Sequence, residues 1–222
     1  MGRYESGIKW FRKRDYIGTE VEFQDPPSRW RIEEKICEHE IPEINTYHDP
    51  PSERAKQAKS EDEDGAAVRE VMALRHLTDK ECSCTPALIS WKVTQQQGDR
   101  ASVPGGFIYH ILMEKLPGVD IEVNFYRLDR SQRDEIREKF KESWLEVTKC
   151  GIINEDSAIR NLLWDRDGKK CYILDFEVWR KARMDTKSKR KRRDSWHNME
   201  YVRWNLAIRR GGDFEDMSTW VL

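Results

Sequence analysis

Three polar residues in the C-terminal half could do chemistry together: Asp156, Asn161 and Asp175. The first two lie five residues apart after a predicted long helix, and a predicted hairpin returns the chain to the third. Phosphoryl transfer uses these residue types. A carboxylate orients the attacking hydroxyl and accepts its proton, while an amide oxygen and a second carboxylate hold Mg²⁺ against the phosphates. The pattern predicts Asp156 as the base and Asn161 and Asp175 as metal ligands.

The predicted hairpin would bring the two metal ligands together. The apolar runs Leu162–Trp164 and Cys171–Leu174 flank Asp165–Gly168, and a turn of Asp and Gly between such runs is typical of two antiparallel strands. Asn161 starts the first strand and Asp175 ends the second. An antiparallel return therefore places both side chains at one end of the hairpin, facing a common metal.

The long helix before this loop is predicted to run from Ser131 to Cys150. Ser131 and Asp134 resemble a capping box, and Gly151 stands where a helix-ending glycine is expected. The apolar stripe recurs at spacings of four, four and three residues, at Ile136, Phe140, Trp144 and Val147.

The N-terminal part is predicted to hold a small sheet and one helix. The stretch Trp30–Ile36 alternates in polarity between turn-rich pieces, which indicates a strand. Ala87–Val93 and Gly106–Glu114 are predicted as two further strands. The helix, which carries Glu70, is predicted from an apolar stripe at Val68, Val71, Leu74 and Leu77.

In this order the pieces resemble the protein-kinase-like superfamily, including its aminoglycoside and choline phosphotransferase branch. The family signature is H-R-D-x-x-x-x-N followed by D-F-G, and Asn154–Asn161 and Asp175–Glu177 stand at the matching positions. The chain is similar in particular to small kinase-like proteins common in filamentous fungi, through its Arg-Asn-Leu-Leu-Trp and Asp-Phe-Glu segments. The resemblance spans residues 66 to 179.

The resemblance implies a nucleotide site beside the three polar residues. Glu70 corresponds to the glutamate of helix C and Met113 to the gatekeeper residue. The backbones of Glu114 and Leu116 would bind adenine, and residues 114–118 would form the hinge. ATP and Mg²⁺ are the implied cofactors.

Several positions depart from the family pattern. Asn154 replaces the His, Glu155 replaces the Arg, and Glu177 replaces the Gly of the two signatures. No G-x-G-x-x-G occurs anywhere in the chain. The lysine that would pair with Glu70 stays open between three candidates: Lys35, Lys56 and Lys59.

We expect a two-lobed α+β kinase-like fold with a reduced N-lobe, residues 1–115, and a truncated helical C-lobe, residues 116–222. The leading function is Mg-ATP-dependent phosphate transfer to a hydroxyl of an unknown protein or small molecule. The alternative is a pseudokinase that serves as a nucleotide-binding or interaction scaffold without turnover. The absent glycine loop favours the alternative, and the retained Asp, Asn and Asp favour the enzyme.

Composition excludes several other classes of protein. The 40 Lys and Arg residues nearly cancel the 41 Asp and Glu residues, so no global charge directs the chain to nucleic acid or a membrane. The longest apolar run, Phe107–Met113, is far shorter than the ~20 residues that span a bilayer. The N-terminus lacks the apolar stretch of a secretory signal, so we expect an intracellular, cytoplasmic protein without a membrane partner.

The five cysteines are expected to be reduced thiols, because their number is odd and the chain is too long to need disulfides. Cys82 and Cys84 with nearby His76 could form a metal site. However, no second Cys/His pair lies at a ligand-like spacing, so buried thiols are the preferred interpretation.

A basic run, residues 180–193, holds nine Lys or Arg residues against one Asp. Such a run attracts nucleic acid, phosphorylated partners or an import receptor. Nuclear localisation through Lys187–Arg193 and a nuclear adaptor are therefore alternatives, as is a plain solvated loop. Binding of nucleic acid is the weaker interpretation, since no RNA-binding signature accompanies the run.

Overall fold

The computed structural model describes residues 13–36, 50–56, 58, 65–183, 194–214 and 216–222. It confirms the predicted mixed α+β class. The chain divides into two compact units, Met1–Glu63 with Ile89–Leu112, and Asp64–Leu88 with Met113–Leu222. The helix that carries Glu70 belongs to the second of these units. The predicted lobe boundary after residue 115 stays a prediction.

Among the described residues, the first unit contains two short helices, one two-stranded sheet and all but two residues of another. Strands β1 and β2 pair in one sheet and β3 and β4 in the other. Within this unit the Ser90 hydroxyl donates to the Asp25 carbonyl at 2.6 Å. The elements are α1 (Lys13–Tyr16), β1 (Glu20–Gln24), β2 (Pro27–Arg31), α2 (Pro51–Ala55), β3 (Leu88–Gln95) and β4 (Phe107–Met113).

The strand predicted over Trp30–Ile36 is placed differently. Strand β2 begins at Pro27, directly after a two-residue turn, and its register pairs Gln24 with Pro27 and Glu20 with Arg31. The pairing therefore ends near Ile32, whose N–H still bonds to the carbonyl of Thr19 at 2.9 Å. The alternating pattern continued beyond the point where β1 could supply a partner, so the prediction was wrong there.

The second unit contains the remaining helices and strands. The predicted helix that carries Glu70 and the predicted long helix are both confirmed. In the first unit, the predicted strands are confirmed as β3 and β4. The elements are α3 (Ala66–Asp79), β5 (Val119–Asp120), α4 (Arg130–Lys149), β6 (Ile152–Asn154), β7 (Leu162–Asp165), β8 (Lys170–Ile173), β9 (Trp179–Lys181) and α5 (Met199–Arg203).

Helix α4 begins one residue earlier than predicted and has a different cap. The Asp129 side chain accepts the Gln132 N–H at 2.9 Å, and the Gln132 side chain accepts the Asp129 N–H at 3.2 Å. This reciprocal pair is the capping box, so the prediction of Ser131 and Asp134 was wrong. Asp134 instead pairs with Arg130 and Arg137 along the helix.

The hairpin of β7 and β8 forms as predicted. Leu162 pairs with Ile173, and Asp165 pairs with Lys170. The Asp165 side chain accepts the N–H groups of Asp167 and Gly168 and so closes the turn. The hairpin fixes the ends of its strands, and the predicted site residues lie just beyond those ends.

Strand β5 reaches this sheet through the predicted Pro117–Gly118 turn. Gly118 has a φ of 117°, and a Cβ there would lie 2.8 Å from the carbonyl oxygen of Trp164. Only glycine fits this close approach, which lets Val119 pair with Trp164.

Aromatic side chains fill the core of the second unit on one face of α4. The rings of Phe140 and Trp204 are 5.1 Å apart, and those of Trp144 and Trp196 are 5.4 Å apart. Trp204 is fully buried.

In the described part of the chain, no helix combines the length and the apolar character needed to cross a bilayer. Of the basic run, residues 184–193 lie outside the described residues. Arg180, at its start, is in β9 and forms ion pairs with Glu155 and Asp194 at 3.0 and 2.6 Å. This first arginine therefore belongs to the folded unit and is not part of a solvated loop.

Candidate active site

Asp156 and Asn161 lie together in the loop after β6. A short 3-10 turn, Ile159–Asn161, brings the chain back, and Asn161 is 4% exposed. Its side-chain amide donates to the Asp156 carbonyl and to Asp156 Oδ2, both at 3.0 Å. Both donor hydrogens therefore face Asp156, which leaves the Asn161 amide oxygen as the atom that could bind a cation.

Asp156 is also held by an ion pair that the sequence analysis did not anticipate. Arg160 Nη2 lies 2.8 and 2.6 Å from the two carboxylate oxygens. The arginine side chain is 43% exposed and the aspartate side chain 32% exposed. The predicted base therefore carries a counterion at the edge of the site. The helical spacing rule for residues four apart does not account for this contact, because Ala158 has an extended backbone and the 3-10 turn begins only at Ile159.

The hairpin brings Asp175 back beside Asn161. The Leu174 N–H donates to the Asn161 carbonyl at 2.9 Å, so the two backbones are adjacent. Strand β8 ends at Ile173, and Asp175 follows two residues later in the left-handed region, with a φ of 60°. Aspartate tolerates this region better than most side chains do. The predicted placement of Asn161 and Asp175 at one end of the hairpin is confirmed for the backbone.

Asn154 fixes the backbone of this return. Its side chain is 6% exposed and donates to the carbonyls of Leu174 and Asp175 at 3.2 and 2.7 Å. Its amide oxygen accepts the Asp156 N–H at 2.9 Å. One neutral side chain therefore ties the loop of the predicted base to the segment of the predicted metal ligand. We refer to these three hydrogen bonds as the Asn154 bridge.

Glu70 reaches the same segment from α3. It accepts a hydrogen bond from the backbone N–H of Phe176. Burial first, and then the nearby carboxylates of Asp175 and Glu177, raise the pKa of Glu70 from its ordinary 4.5 to about 7. We call Glu70, Asp175 and Glu177 the acidic cluster.

Arg69, the residue before Glu70, anchors helix α3 next to the acidic cluster. Arg69 donates to the carbonyls of Glu177 and Trp179, and the Trp179 indole N–H donates to the Arg69 carbonyl at 2.9 Å. These contacts connect one turn of α3 to the start of β9. They explain why Glu70 faces the Asp-Phe-Glu segment and not solvent.

The lysine partner of Glu70 stays an open prediction. Lys56 pairs with Glu53 of α2 at 2.8 Å. Lys35 lies in the irregular segment 32–36, and Lys59 lies outside the described residues.

The predicted hinge follows β4. The Glu114 N–H donates to the Ala87 carbonyl at 2.9 Å, and the Glu114 carboxylate accepts the Ala87 N–H at 3.3 Å. Among the described residues, no hydrogen bond uses the Glu114 carbonyl or the Leu116 N–H. Those two groups are the acceptor and the donor that adenine would need. Met113 is the last residue of β4 and is half-buried.

The donor set fits a hard divalent cation. Mg²⁺ prefers oxygen ligands, and the segment offers the carboxylates of the acidic cluster together with the Asn161 amide oxygen. Burial is the main cause of the raised pKa of Glu70, and the neighbouring negative charges of Asp175 and Glu177 add to it. A bound cation would offset those charges.

No protein-family model matches this chain, and no curated protein matches it significantly. The kinase resemblance therefore depends on the residues and their geometry alone.

Replacing Glu70 with Gln should change how stability depends on pH. When the pKa of a carboxyl group is higher in the folded protein than in the unfolded chain, the folded protein loses stability as the pH rises from about 4.5 to about 7. Wild type and Glu70→Gln should melt at similar temperatures at pH 4.5. At pH 8 the variant should be more stable, by on the order of 1–3 kcal/mol. Thermal unfolding at both pH values measures this, and a difference that does not change with pH would contradict the assigned environment.

Proposed function

We propose that this protein is a kinase-like phosphotransferase that uses Mg-ATP and transfers the γ-phosphate to a hydroxyl of a protein or small molecule. The observation that carries the proposal is the Asn154 bridge. It brings the loop of Asp156 and Asn161 against the backbone of Asp175, in the order that the kinase-like resemblance implies. The proposal includes a two-lobed kinase-like fold with a reduced N-lobe and a truncated C-lobe.

In this proposal one set of residues binds the metal and the nucleotide, and Asp156 acts on the acceptor. Asn161 and Asp175 bind Mg²⁺ through the amide oxygen and the carboxylate, and Glu70 adds negative charge beside them. The ion, when bound, neutralises charge on the phosphates and orients them. The Glu114 carbonyl and the Leu116 N–H bind the adenine edge, and Met113 lies next to them in sequence.

Asp156 acts on the acceptor. Its carboxylate orients the incoming hydroxyl and receives its proton. Arg160 and the Asn161 amide hold the carboxylate in one position. A hydroxyl must therefore approach an oxygen that already accepts hydrogen bonds, or displace the arginine.

The ion pair between Arg160 and Asp156 also favours a second candidate function. In the described geometry both oxygens of Asp156 contact the arginine. An incoming hydroxyl therefore meets a carboxylate whose two oxygens already accept hydrogen bonds. A pseudokinase that binds Mg-ATP as a scaffold without turnover would keep the same contacts.

Asp175→Asn should weaken ATP binding that depends on Mg²⁺. The substitution removes the charge that the ion needs but keeps a side chain that tolerates the left-handed backbone at this position. Calorimetry with ATP and Mg²⁺ should show affinity at least tenfold lower than for wild type, on the order of 1.4 kcal/mol or more.

The matched control for this change is Asp165→Asn, which removes the same charge at the turn of the same hairpin, away from the site. It should bind as wild type does. Equal binding to wild type and Asp175→Asn, or no binding to wild type at millimolar ATP with Mg²⁺, would contradict the proposed site.

Asp156→Asn should reduce turnover and leave ATP affinity within a few-fold of wild type. A proton acceptor for the hydroxyl does not hold the nucleotide, and its loss typically costs about 10²–10⁴ in rate. Phosphate release and autophosphorylation measure turnover, and calorimetry measures binding. If wild type binds Mg-ATP but shows no turnover, the result supports the pseudokinase that acts as a scaffold. Equal turnover in wild type and Asp156→Asn would show that Asp156 takes no part in the chemistry.

A further inference from the structure

A group of thiols lies in the second unit, apart from the proposed nucleotide site. Cys82 and Cys84 follow the end of α3, and Glu146 and Cys150 lie at the end of α4. The Sγ atoms of Cys82 and Cys84 and a carboxylate oxygen of Glu146 all lie within 4.8 Å of one another. The Cys150 thiol lies beside Cys82, just outside this group of three. The described cysteines carry no disulfide.

We propose that Cys82, Cys84, Cys150 and Glu146 form a structural Zn²⁺ site that joins the ends of α3 and α4. Thiolates select soft or borderline metals such as zinc, and a site of four protein ligands is typical of structural zinc. The role is separate from the proposed nucleotide chemistry and does not depend on it.

The geometry of the two nearest thiols matches this metal. Tetrahedral zinc with Zn–S bonds of about 2.3 Å holds two sulfurs about 3.8 Å apart. The Sγ atoms of Cys82 and Cys84 are 3.6 Å apart. A small adjustment therefore suffices for both sulfurs to bind one ion. A disulfide would require them to approach to about 2.05 Å.

The surrounding groups hold the ligands in place. Ser83 donates its N–H and its hydroxyl to the two carboxylate oxygens of Glu146, and each oxygen retains a further lone pair for a metal. His76 Nε2 bonds to the Cys150 carbonyl at 2.7 Å, so this histidine positions Cys150 and is not itself a ligand. Such contacts around the ligands commonly tune metal affinity.

The electrostatic setting also favours a cation. Helices α3 and α4 both end at the cluster. The Cys82 N–H bonds to the Leu77 carbonyl and the Cys150 N–H to the Glu146 carbonyl, each at 2.9 Å. The C-terminal end of a helix carries partial negative charge. On binding, the three thiols release their protons to solvent and form three Zn–S bonds. Lys170, which contacts Ser83 at 2.9 Å, partly offsets the negative charge that remains.

The test uses the full chain, purified with a phosphine reductant and stripped of metal by a chelator. One equivalent of Zn²⁺ should be retained after desalting, as counted by native mass spectrometry. Co²⁺ in its place should give the thiolate-to-cobalt charge-transfer absorption of a tetrahedral sulfur site. Cys82→Ala, Cys84→Ala and Cys150→Ala should each lower zinc affinity at least 100-fold.

The matched control is Cys171→Ala, which removes a buried thiol outside the cluster. It should bind zinc as wild type does. Reduced wild type that retains no zinc, or that binds cobalt without the charge-transfer band, would overturn the proposal without any variant. Cluster variants that bind zinc as tightly as wild type, or an equal loss in the Cys171→Ala control, would also overturn it.

Discussion

The candidate site depends on one buried asparagine. Asn154 ends β6, and its side chain reaches across to the carbonyls of Leu174 and Asp175 while it accepts the Asp156 N–H. Without these bonds two part-buried carbonyls would lose these partners, at a cost of up to about 1–3 kcal/mol for each group that stays unsatisfied. The left-handed backbone at Asp175 would also lose its support. A neutral amide can serve all three contacts because it has both donors and an acceptor.

The charge distribution around this bridge follows from the same packing. Arg69 anchors α3 to the backbone at Glu177 and Trp179, and this places Glu70 beside the carboxylates of Asp175 and Glu177. Three acidic side chains at one place repel one another, and the repulsion contributes to the raised pKa of Glu70. A protein keeps such a cluster at some cost in stability. Binding of a divalent cation would offset that cost, which connects the fold of this segment to the proposed function.

Much of this arrangement could be predicted from local sequence patterns. The apolar stripes predicted α3 and α4, and the Asp-Gly turn predicted the hairpin that returns Asp175 to Asn161. Other features required tertiary information. The extent of β2 depends on its partner β1, whereas the cap of α4 could have been predicted, because Asp129 and Gln132 stand at the capping-box spacing. The proximity of Cys82 and Glu146 arises from two helix ends far apart in sequence, which no spacing rule predicts.

The central claim is that Asn161 and Asp175 form one metal and nucleotide site on the frame set by Asn154. A crystal structure of the protein with Mg²⁺ and a non-hydrolysable ATP analogue tests it most directly. The account predicts an ion bound by the Asn161 amide oxygen and the Asp175 carboxylate, with adenine on the backbones of Glu114 and Leu116. An ion bound by neither side chain, or a nucleotide bound elsewhere on the protein, would contradict the account.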